Sequence, residues 1–184
     1  MPQEELRPLY GQRAIRNAVH RLAASIDDDA DGEPLTVIGV LKGSFVFLAD
    51  LVRALKTQST VDFVTVASYG AGCSPGALRL VKDCDLPLWR RNVLLVDDIV
   101  DTGLTAGFLL RQFRRRRPRS CRLCVLLDKP SRRQVRISVD YRGFVVPDRF
   151  VVGYGLDMNE RYRQLPALYT VETEGSIVNE RKKK

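Results

Sequence analysis

Apolar residues follow two different spacings along the chain. Three short segments are mostly apolar: Leu35–Leu41, Val93–Val96 and Arg122–Asp128. Three longer segments repeat apolar residues at helical spacing: about Gln12–Ile26, Phe45–Lys56 and Ala106–Arg117. Continuous apolar runs are typical of strands that are covered on both faces. Because such strands alternate with helices, the pattern predicts an α/β fold with a mainly parallel sheet flanked by helices.

Polar segments between these runs indicate where the chain turns. Asp27–Gly32 predicts a surface loop, Ser44 a helix N-cap, Ser68–Pro75 a glycine-rich loop, and Asp97–Thr105 a polar turn. Three further segments are predicted to be extended: Val61–Ala67, Val139–Val146 and Phe150–Tyr154. Ligands of such sheets bind beyond the carboxyl ends of the strands. The residues of interest therefore follow four positions: Leu41, Ala67, Val96 and Leu127.

Composition places the chain among globular domains. Its 184 residues are 45% hydrophobic and 28% charged, which suits one domain with its own core. The net charge of +8 comes from two patches, Arg111–Arg122 with seven arginines and no acid, and Arg181–Lys184 with four cations. Without those eleven residues, 19 basic side chains stand against 22 acidic ones. A nucleic-acid surface over the whole body is therefore not expected.

The cysteines and the termini indicate no secreted or membrane protein. Four cysteines in 184 residues do not form a disulfide scaffold. Cys121 and Cys124 have C-x-x-C spacing, but they lie in a predicted strand, where residues three apart point to opposite faces. The acidic start resembles no secretory signal, and no uncharged apolar run approaches the ~18 residues of a membrane span. We expect a cytoplasmic protein with no membrane partner.

The stretch Asp97–Thr105 carries the chemistry. Asp97, Asp98 and Asp101 repel one another at a strand end, so their clustering indicates a function such as metal binding, contact with vicinal hydroxyls or general base catalysis. The following Thr102–Thr105 opens a helix, whose free N–H groups favour a phosphate. An acidic N-cap cluster is the structural alternative, but one aspartate would suffice for it. The stretch predicts a sugar-phosphate site.

The segment Val93–Thr105 resembles the signature of the type I phosphoribosyltransferases, which bind 5-phosphoribosyl 1-pyrophosphate (PRPP). The resemblance is closest to the hypoxanthine-guanine, or 6-oxopurine, branch and extends from about Val37 to Val171. Further matching segments occur in the family's order: Val40–Phe45, Ser68–Gly70, Leu126–Lys129, Phe150–Asp157 and Tyr162–Arg163. Several matches in one order are far more specific than any one of them.

The resemblance implies both an architecture and a reaction. It implies a single domain over 1–184, with a core at about 35–130, a basic tail at 180–184, and a small hood over the carboxyl ends of the strands, built from the N-terminal segment and about 129–175. The implied reaction is purine salvage, in which PRPP and hypoxanthine or guanine give IMP or GMP plus pyrophosphate. Mg²⁺ is the implied cofactor, and a homodimer or homotetramer the implied assembly.

The resemblance also implies roles for the acidic stretch. Asp97 and Asp98 would hold the ribose hydroxyls, directly or through Mg²⁺, although many family members have glutamate at the first position. Asp101 would be the general base or acid near purine N7. The 5′-phosphate would lie on Asp101, Thr102, Gly103, Leu104 and Thr105. Some relatives have lysine at the Leu104 position, so this contact would come from the backbone alone.

Other segments are implied to complete the site. For pyrophosphate these are Lys42 and Gly43, with a cis peptide bond between Leu41 and Lys42, and Arg163 on the leaving group. For the purine they are Lys129 as donor to the 6-oxo group, Phe150 as stacking partner, the Val151 backbone at the 2-position edge, and Asp157, which would hold a second Mg²⁺. Ser68 and Tyr69 match the start of a mobile loop that closes over the site.

One alternative from another functional class remains open. Some proteins of this fold are RNA-binding regulators of nucleotide operons, and the basic run Arg114–Arg119 is compatible with that function. Those regulators typically lack an acid at the position of Asp101. Together with Lys129 and Phe150–Asp157, this acid favours the enzyme, so nucleic acid is not an expected partner. The sequence ranks neither hypoxanthine, guanine and xanthine, nor dimer and tetramer.

Overall fold

A computed structural model describes residues 5–68 and 78–172. The helices there are α1 Gln12–Ala30, α2 Phe45–Ala54, α3 Leu104–Arg114 and a 3-10 helix Pro130–Arg132. The strands are β1 Glu5–Tyr10, β2 Leu35–Leu41, β3 Ser59–Ser68, β4 Leu78–Lys82, β5 Asn92–Val100, β6 Ser120–Asp128, β7 Tyr141–Val145, β8 Phe150–Val152 and β9 Leu168–Glu172. Ser68 ends β3, whereas Tyr69, most of the glycine-rich loop and the basic tail lie outside the described residues.

The main sheet has the parallel arrangement that the apolar pattern predicts. Within the described ranges its strand order is β4-β3-β2-β5-β6-β7, and every neighbouring pair is parallel except β3 and β4. The carboxyl ends of β2, β5 and β6 therefore meet at one edge of the sheet. This edge is where Lys42, Asp97–Thr105 and Lys129 follow their strands.

Both faces of the central strands are covered. Leu94 and Val96 of β5 pack in the cluster that contains α1 and α2, whereas Val93 and Leu95 pack against α3 on the other face. A strand with helices on both faces needs apolar residues at successive positions. This packing explains the continuous apolar runs and confirms the predicted fold class.

The hood contains a second, smaller sheet. Its described strands have the order β1-β9-β8, all antiparallel, so the N-terminal strand pairs with strands from the C-terminal part of the chain. Phe150 and Val151 of β8 lie across a cavity from Asp98 at the end of β5. The small sheet therefore adjoins the carboxyl edge of the main sheet. Sequence patterns did not predict β1, β4 or β9.

The predicted surface loop after α1 is partly wrong. Asp27–Ala30 form the last turn of α1, which ends where Asp31 adopts a left-handed φ of 48°. The Asp27 carboxylate accepts backbone N–H groups of Lys56 and Thr57 at 2.9–3.1 Å. Although burial acts against it, these hydrogen bonds lower the pKa of Asp27. Asp27 thus joins the end of α1 to the segment after α2.

Two predicted boundaries at the strand ends also shift. The strand β5 continues to Val100, so Asp97 and Asp98 belong to the strand rather than to a turn, and α3 begins at Leu104 instead of Ala106. Ser44 does not cap α2 through its side chain. Its hydroxyl instead donates to the Val40 carbonyl at 2.6 Å, which ties the start of α2 back to β2.

The C-x-x-C pair lies within β6, with its members on opposite faces. Cys124 is buried on the face of α1 and α2, and Cys121 packs against the cluster that contains α3. Burial raises the pKa of the Cys121 thiol to about 11 and also raises that of Cys124. This arrangement confirms the predicted orientation. No helix among the described residues is long and apolar enough to cross a membrane.

Candidate active site

Two cavities open at the carboxyl edge of the main sheet. One of about 240 Å³ is lined by the end of β2 and by the stretch from Asp97 to Ala106. The other, of about 530 Å³, lies between that stretch and the hood. Asp98, Ile99 and Asp101 line both cavities. A ligand with two parts could therefore fill both spaces, with its junction at these residues.

The loop Asp101–Thr105, called the phosphate loop below, lines the smaller cavity. Gly103 has a left-handed φ of 82° and precedes the first residue of α3. Its carbonyl accepts the N–H of Gly107 at 2.8 Å, which begins the helical hydrogen bonds. The preceding N–H groups have no intrahelical acceptor, so they suit an anion at the helix N-terminus.

Asp97 and Asp98 bring two carboxyl groups together at low solvent exposure. Burial, followed by the charge of Asp98, raises the pKa of Asp97 well above its ordinary value. Burial also raises the pKa of Asp98, although hydrogen bonds and the charge of Arg163 act against the rise. Burial thus disfavours the charged forms of both groups, and a bound divalent cation would stabilise them.

Asp157 is already engaged by protein groups. Its Oδ1 lies 2.7 Å from Arg163 Nη2, and its Oδ2 accepts the N–H of Glu160 at 2.9 Å. In the parts of the chain that the structure describes, no three His, Cys, Asp or Glu side chains converge as a metal site. A cation at this edge would therefore complete its coordination with water or with oxygen atoms of a bound ligand.

The predicted pyrophosphate loop is packed between β5 and the hood. A cis peptide bond joins Leu41 to Lys42, as the resemblance implied. The backbone of Gly43 lies against the Asp98 carboxylate on one side. On the other side lies Gly155, where a Cβ would come within 2.3 Å of the Gly43 carbonyl oxygen. The loop is thus in close contact with both neighbours.

The two predicted pyrophosphate cations share the carboxylate of Glu160, a residue that the sequence did not predict. Glu160 Oε1 lies 2.9 Å from Lys42 Nζ, and its Oε2 lies 3.1 Å from Arg163 Nη2. Hydrogen bonds from Lys42 and Arg163 lower the pKa of Glu160. Only the position of Glu160 between Asp157 and Arg163 could have drawn attention to it.

The larger cavity holds Lys129 beside two acids. Lys129 is only 5% exposed, and burial lowers its pKa, whereas the charges of Asp101 and Asp148 act in the opposite direction. Arg132 links the same two acids, with Nε 3.2 Å from Asp101 Oδ1 and Nη1 3.3 Å from Asp148 Oδ1. The Arg132–Asp101 contact is an ion pair without hydrogen-bond geometry, so the buried Asp101 Oδ1 atom accepts no hydrogen bond. Arg132 and Asp148 were not predicted.

Phe150 and Val151 face the same cavity from β8. The Phe150 ring is 53% exposed, which leaves an aromatic face available to a planar ligand. Val151 is buried and paired with Thr170 of β9, so its position is defined by the small sheet. The residues predicted for the purine, Lys129, Phe150, Val151 and Asp157, therefore line one cavity together with Asp101.

The predicted residues form three neighbouring groups. The phosphate loop lies in the smaller cavity and the purine residues in the larger one. Lys42 and Arg163 meet at Glu160 beside them. Tyr69 lies outside the described residues, and the side chain of Ser68 is not described.

Comparisons with known proteins agree with this arrangement. A family model for the phosphoribosyl transferase domain matches residues 8–159. The hypoxanthine-guanine phosphoribosyltransferase of Aquifex aeolicus is 45% identical over 171 residues, which are 92% of this chain and 96% of that protein. The enzyme of the same name from Bacillus subtilis is 43% identical over 159 residues, or 86% and 88% of the two chains. A crystal structure of a hypoxanthine-guanine phosphoribosyltransferase from Bacillus anthracis superposes with a TM-score of 0.87 at 42% identity, covering 92% of this chain and 100% of the other.

Proposed function

The chain belongs to the phosphoribosyl transferase family, and we propose that it transfers the 5-phosphoribosyl group of PRPP to N9 of hypoxanthine or guanine, releasing pyrophosphate. The observation that carries this proposal is the pair of cavities that share Asp98 and Asp101. One cavity suits a phosphorylated sugar and the other a planar base, and the two reactants would meet at their junction. The relatives reported above are all named for this transferase, which favours the enzyme over the RNA-binding regulator.

Binding of the sugar phosphate rests on the phosphate loop. The 5′-phosphate would accept hydrogen bonds from the N–H groups of Thr102–Thr105 and from the hydroxyls of Thr102 and Thr105, at the positive end of the α3 dipole. Leu104 is 38% exposed and contributes backbone only. Asp97 and Asp98 would accept hydrogen bonds from the ribose hydroxyls, a role that explains why acids occupy this buried strand end.

Binding of the base rests on three contacts in the larger cavity. Lys129 would donate to the 6-oxo group, an acceptor that adenine lacks. Phe150 would stack on the ring, and the Val151 backbone would contact the edge at the 2-position. Asp101 would lie near N7, where its carboxylate stabilises or accepts the proton that the purine loses as N9 attacks C1′.

Pyrophosphate release would involve Lys42, the Gly43 backbone and Arg163. Asp97 and Asp98 would hold Mg²⁺, and Asp157 a second ion through pyrophosphate; when bound, this metal neutralises negative charge on the leaving group. As the C1′–O bond breaks, positive charge develops on the ribose ring, and water must be kept away from it. The loop that begins at Ser68 and Tyr69 would serve that purpose by closing over the site.

The proposal extends to location and assembly. We infer a cytoplasmic enzyme that assembles as a homodimer or homotetramer, with its resemblance to the family as the support. Light scattering coupled to size-exclusion chromatography would give the mass of the assembly directly. A mass of one chain at micromolar concentration would contradict this part of the proposal without affecting the reaction.

The reaction is tested by offering bases one at a time. The purified protein is incubated with Mg²⁺ and PRPP plus hypoxanthine, guanine, xanthine, adenine or uracil, and the nucleotide product is quantified. We expect IMP or GMP from hypoxanthine or guanine and little product from adenine or uracil. Product from adenine or uracil alone would overturn the proposed specificity. Failure with all five bases while PRPP still binds would favour the regulator.

A further inference from the structure

A segment that follows the 3-10 helix packs against the phosphate loop. The N–H groups of Gln134 and Val135 donate to the Thr102 carbonyl at 2.9 and 3.4 Å. A Cβ built on Gly103 would lie 2.9 Å from Arg133 Cδ and 3.2 Å from Val135 Cγ2. Arg133 and Val135 therefore fill the space in which a side chain at residue 103 would lie.

The Arg133 side chain is anchored at its other end. Its Nη2 donates to Asp128 Oδ1, and Arg142 Nη1 donates to Asp128 Oδ2 at 3.0 Å. The Asp128 side chain is only 4% exposed, whereas the side chain of Arg133 is 18% exposed and that of Arg142 is 48% exposed. One buried carboxylate thus pairs with two guanidinium groups, so one positive charge is left over at this position.

The excess charge is directed to the phosphate loop. Arg133 Nη1 is buried and has no hydrogen-bond partner, and it lies 3.3 Å from the position of a Cβ on Gly103. A buried guanidinium nitrogen without an acceptor is unfavourable unless a nearby negative charge offsets it. Arg142 also pairs with Asp128, but its side chain is half exposed and is not among the atoms nearest to a Cβ at Gly103.

We propose that Arg133 is a positioning residue for the 5′-phosphate subsite. It supports Gly103 in its left-handed conformation and places a permanent positive charge behind the N–H groups that would bind the phosphate. It does not line the smaller cavity, so it acts through the loop rather than by direct contact. This inference rests on the proposed function and adds to it a residue that the sequence motif does not contain.

The test compares Arg133→Gln with Arg142→Gln. Each variant removes one cation from Asp128, so a purely structural effect would be of similar size in both. Calorimetry then gives the dissociation constants of IMP, which carries the 5′-phosphate, and of Mg²⁺-pyrophosphate, which does not occupy that subsite. Melting temperatures are recorded for both proteins, and Arg133→Lys serves as a variant that retains the charge.

We expect Arg133→Gln to weaken IMP binding on the order of ten- to thirtyfold, the size expected for a unit charge roughly 8–12 Å away at an effective dielectric constant of about 20. Pyrophosphate affinity should change less than about threefold, as should both affinities in Arg142→Gln. Arg133→Lys should lose less IMP affinity than Arg133→Gln, because lysine retains the positive charge.

Other outcomes separate this inference from the proposed function. Two results would overturn the role of Arg133. One is an equal loss of IMP affinity in Arg133→Gln and Arg142→Gln, and the other is an equal loss of IMP and pyrophosphate affinity in Arg133→Gln. If Arg133→Gln does not fold, Arg133→Lys decides: because this variant keeps the charge, a loss of IMP affinity of about tenfold or more rejects the inference. A wild-type protein that neither binds IMP nor forms product would instead reject the proposed function.

Discussion

The carboxylate of Asp98 occupies the space in which a side chain at residue 43 would lie. A Cβ built on Gly43 would come within 1.9 Å of Asp98 Oδ2 and 2.6 Å of its Cγ, both far inside van der Waals contact. The predicted ribose acid and the predicted pyrophosphate loop are therefore packed as one unit. Only glycine at position 43 permits this, so the two subsites depend on each other through steric contact.

Gly43→Ala should strongly reduce activity by displacing Asp98. We expect kcat/KM to fall at least ~100-fold, since displacement of a positioning group by about 1 Å has this effect. Gly11→Ala is the matched control, because no atom lies within 4 Å of a Cβ at Gly11. Steady-state kinetics and melting temperatures of both variants provide the measurement. Activity within threefold of wild type in Gly43→Ala would show that Asp98 can move without loss.

Asp101→Asn should reduce turnover far more than PRPP binding. A carboxylate near N7 would contribute about 10²–10⁴-fold to the chemical step, whereas the neighbouring N–H groups would still bind the 5′-phosphate. Asp148→Asn is the control, because Asp148 pairs with the same Arg132 and lines the same cavity. Single-turnover rates and PRPP dissociation constants separate the two effects. Equal loss of both in Asp101→Asn would indicate that Asp101 only supports the phosphate loop.

Lys129→Met should separate base recognition from stability. Loss of a charged donor to the 6-oxo group should raise the KM for hypoxanthine about 10- to 100-fold and leave PRPP affinity within threefold. The melting temperature should stay equal or rise, because burial of the ammonium group disfavours its charged form and lowers the Lys129 pKa.

The same variant has a defined pH dependence. A lysine whose pKa is lower in the folded than in the unfolded state gives wild-type stability that rises with pH up to the ordinary lysine value of 10.5. Any advantage of Lys129→Met in melting temperature should therefore shrink between neutral and alkaline pH. A variant that is less stable at neutral pH, with an unchanged KM, would show that Lys129 is structural.

The sequence predicts elements best where burial constrains every residue. The strands β2, β5 and β6 are covered on both faces, so their apolar runs and the polar residues after them were evident. The edge strand β4 has mixed exposure and pairs only with β3, whereas the hood strands β1 and β9 pair with each other from opposite ends of the described chain. Local patterns carry no signal for such pairing.

Several site residues could not be predicted for the same reason. Glu160, Arg132 and Arg133 function through partners that only the folded chain brings near. The acidic end of α1 is predicted as a loop because the donors to its Asp27 carboxylate, the N–H groups of Lys56 and Thr57, follow a different helix. Motif residues could be recognised from order and spacing, whereas the side chains that support them could not.

The cysteines of β6 should resist alkylation in the folded protein. With a pKa of about 11, the Cys121 thiol is almost entirely protonated at pH 8, and burial raises the pKa of Cys124 as well. Iodoacetamide at pH 8 should leave both unmodified until guanidinium chloride unfolds the chain, as mapped by peptide mass spectrometry. Rapid modification of Cys121, or formation of a Cys121–Cys124 disulfide under mild oxidant, would indicate a redox function instead.

Glu160→Gln should strengthen pyrophosphate binding. Lys42 and Arg163 lower the pKa of Glu160, so this carboxylate is ionised at neutral pH and competes with pyrophosphate for the same cations. Ion pairs at the surface are weak, so we expect only about a two- to fivefold lower dissociation constant for Mg²⁺-pyrophosphate. The gain should shrink in 0.5 M salt, where exposed charges are screened. Glu33→Gln is the control, because Glu33 pairs with the exposed Arg119 at a similar 2.9 Å and does not contact the site. Weaker binding in Glu160→Gln would mean that Glu160 orients the two cations for pyrophosphate rather than competing with it.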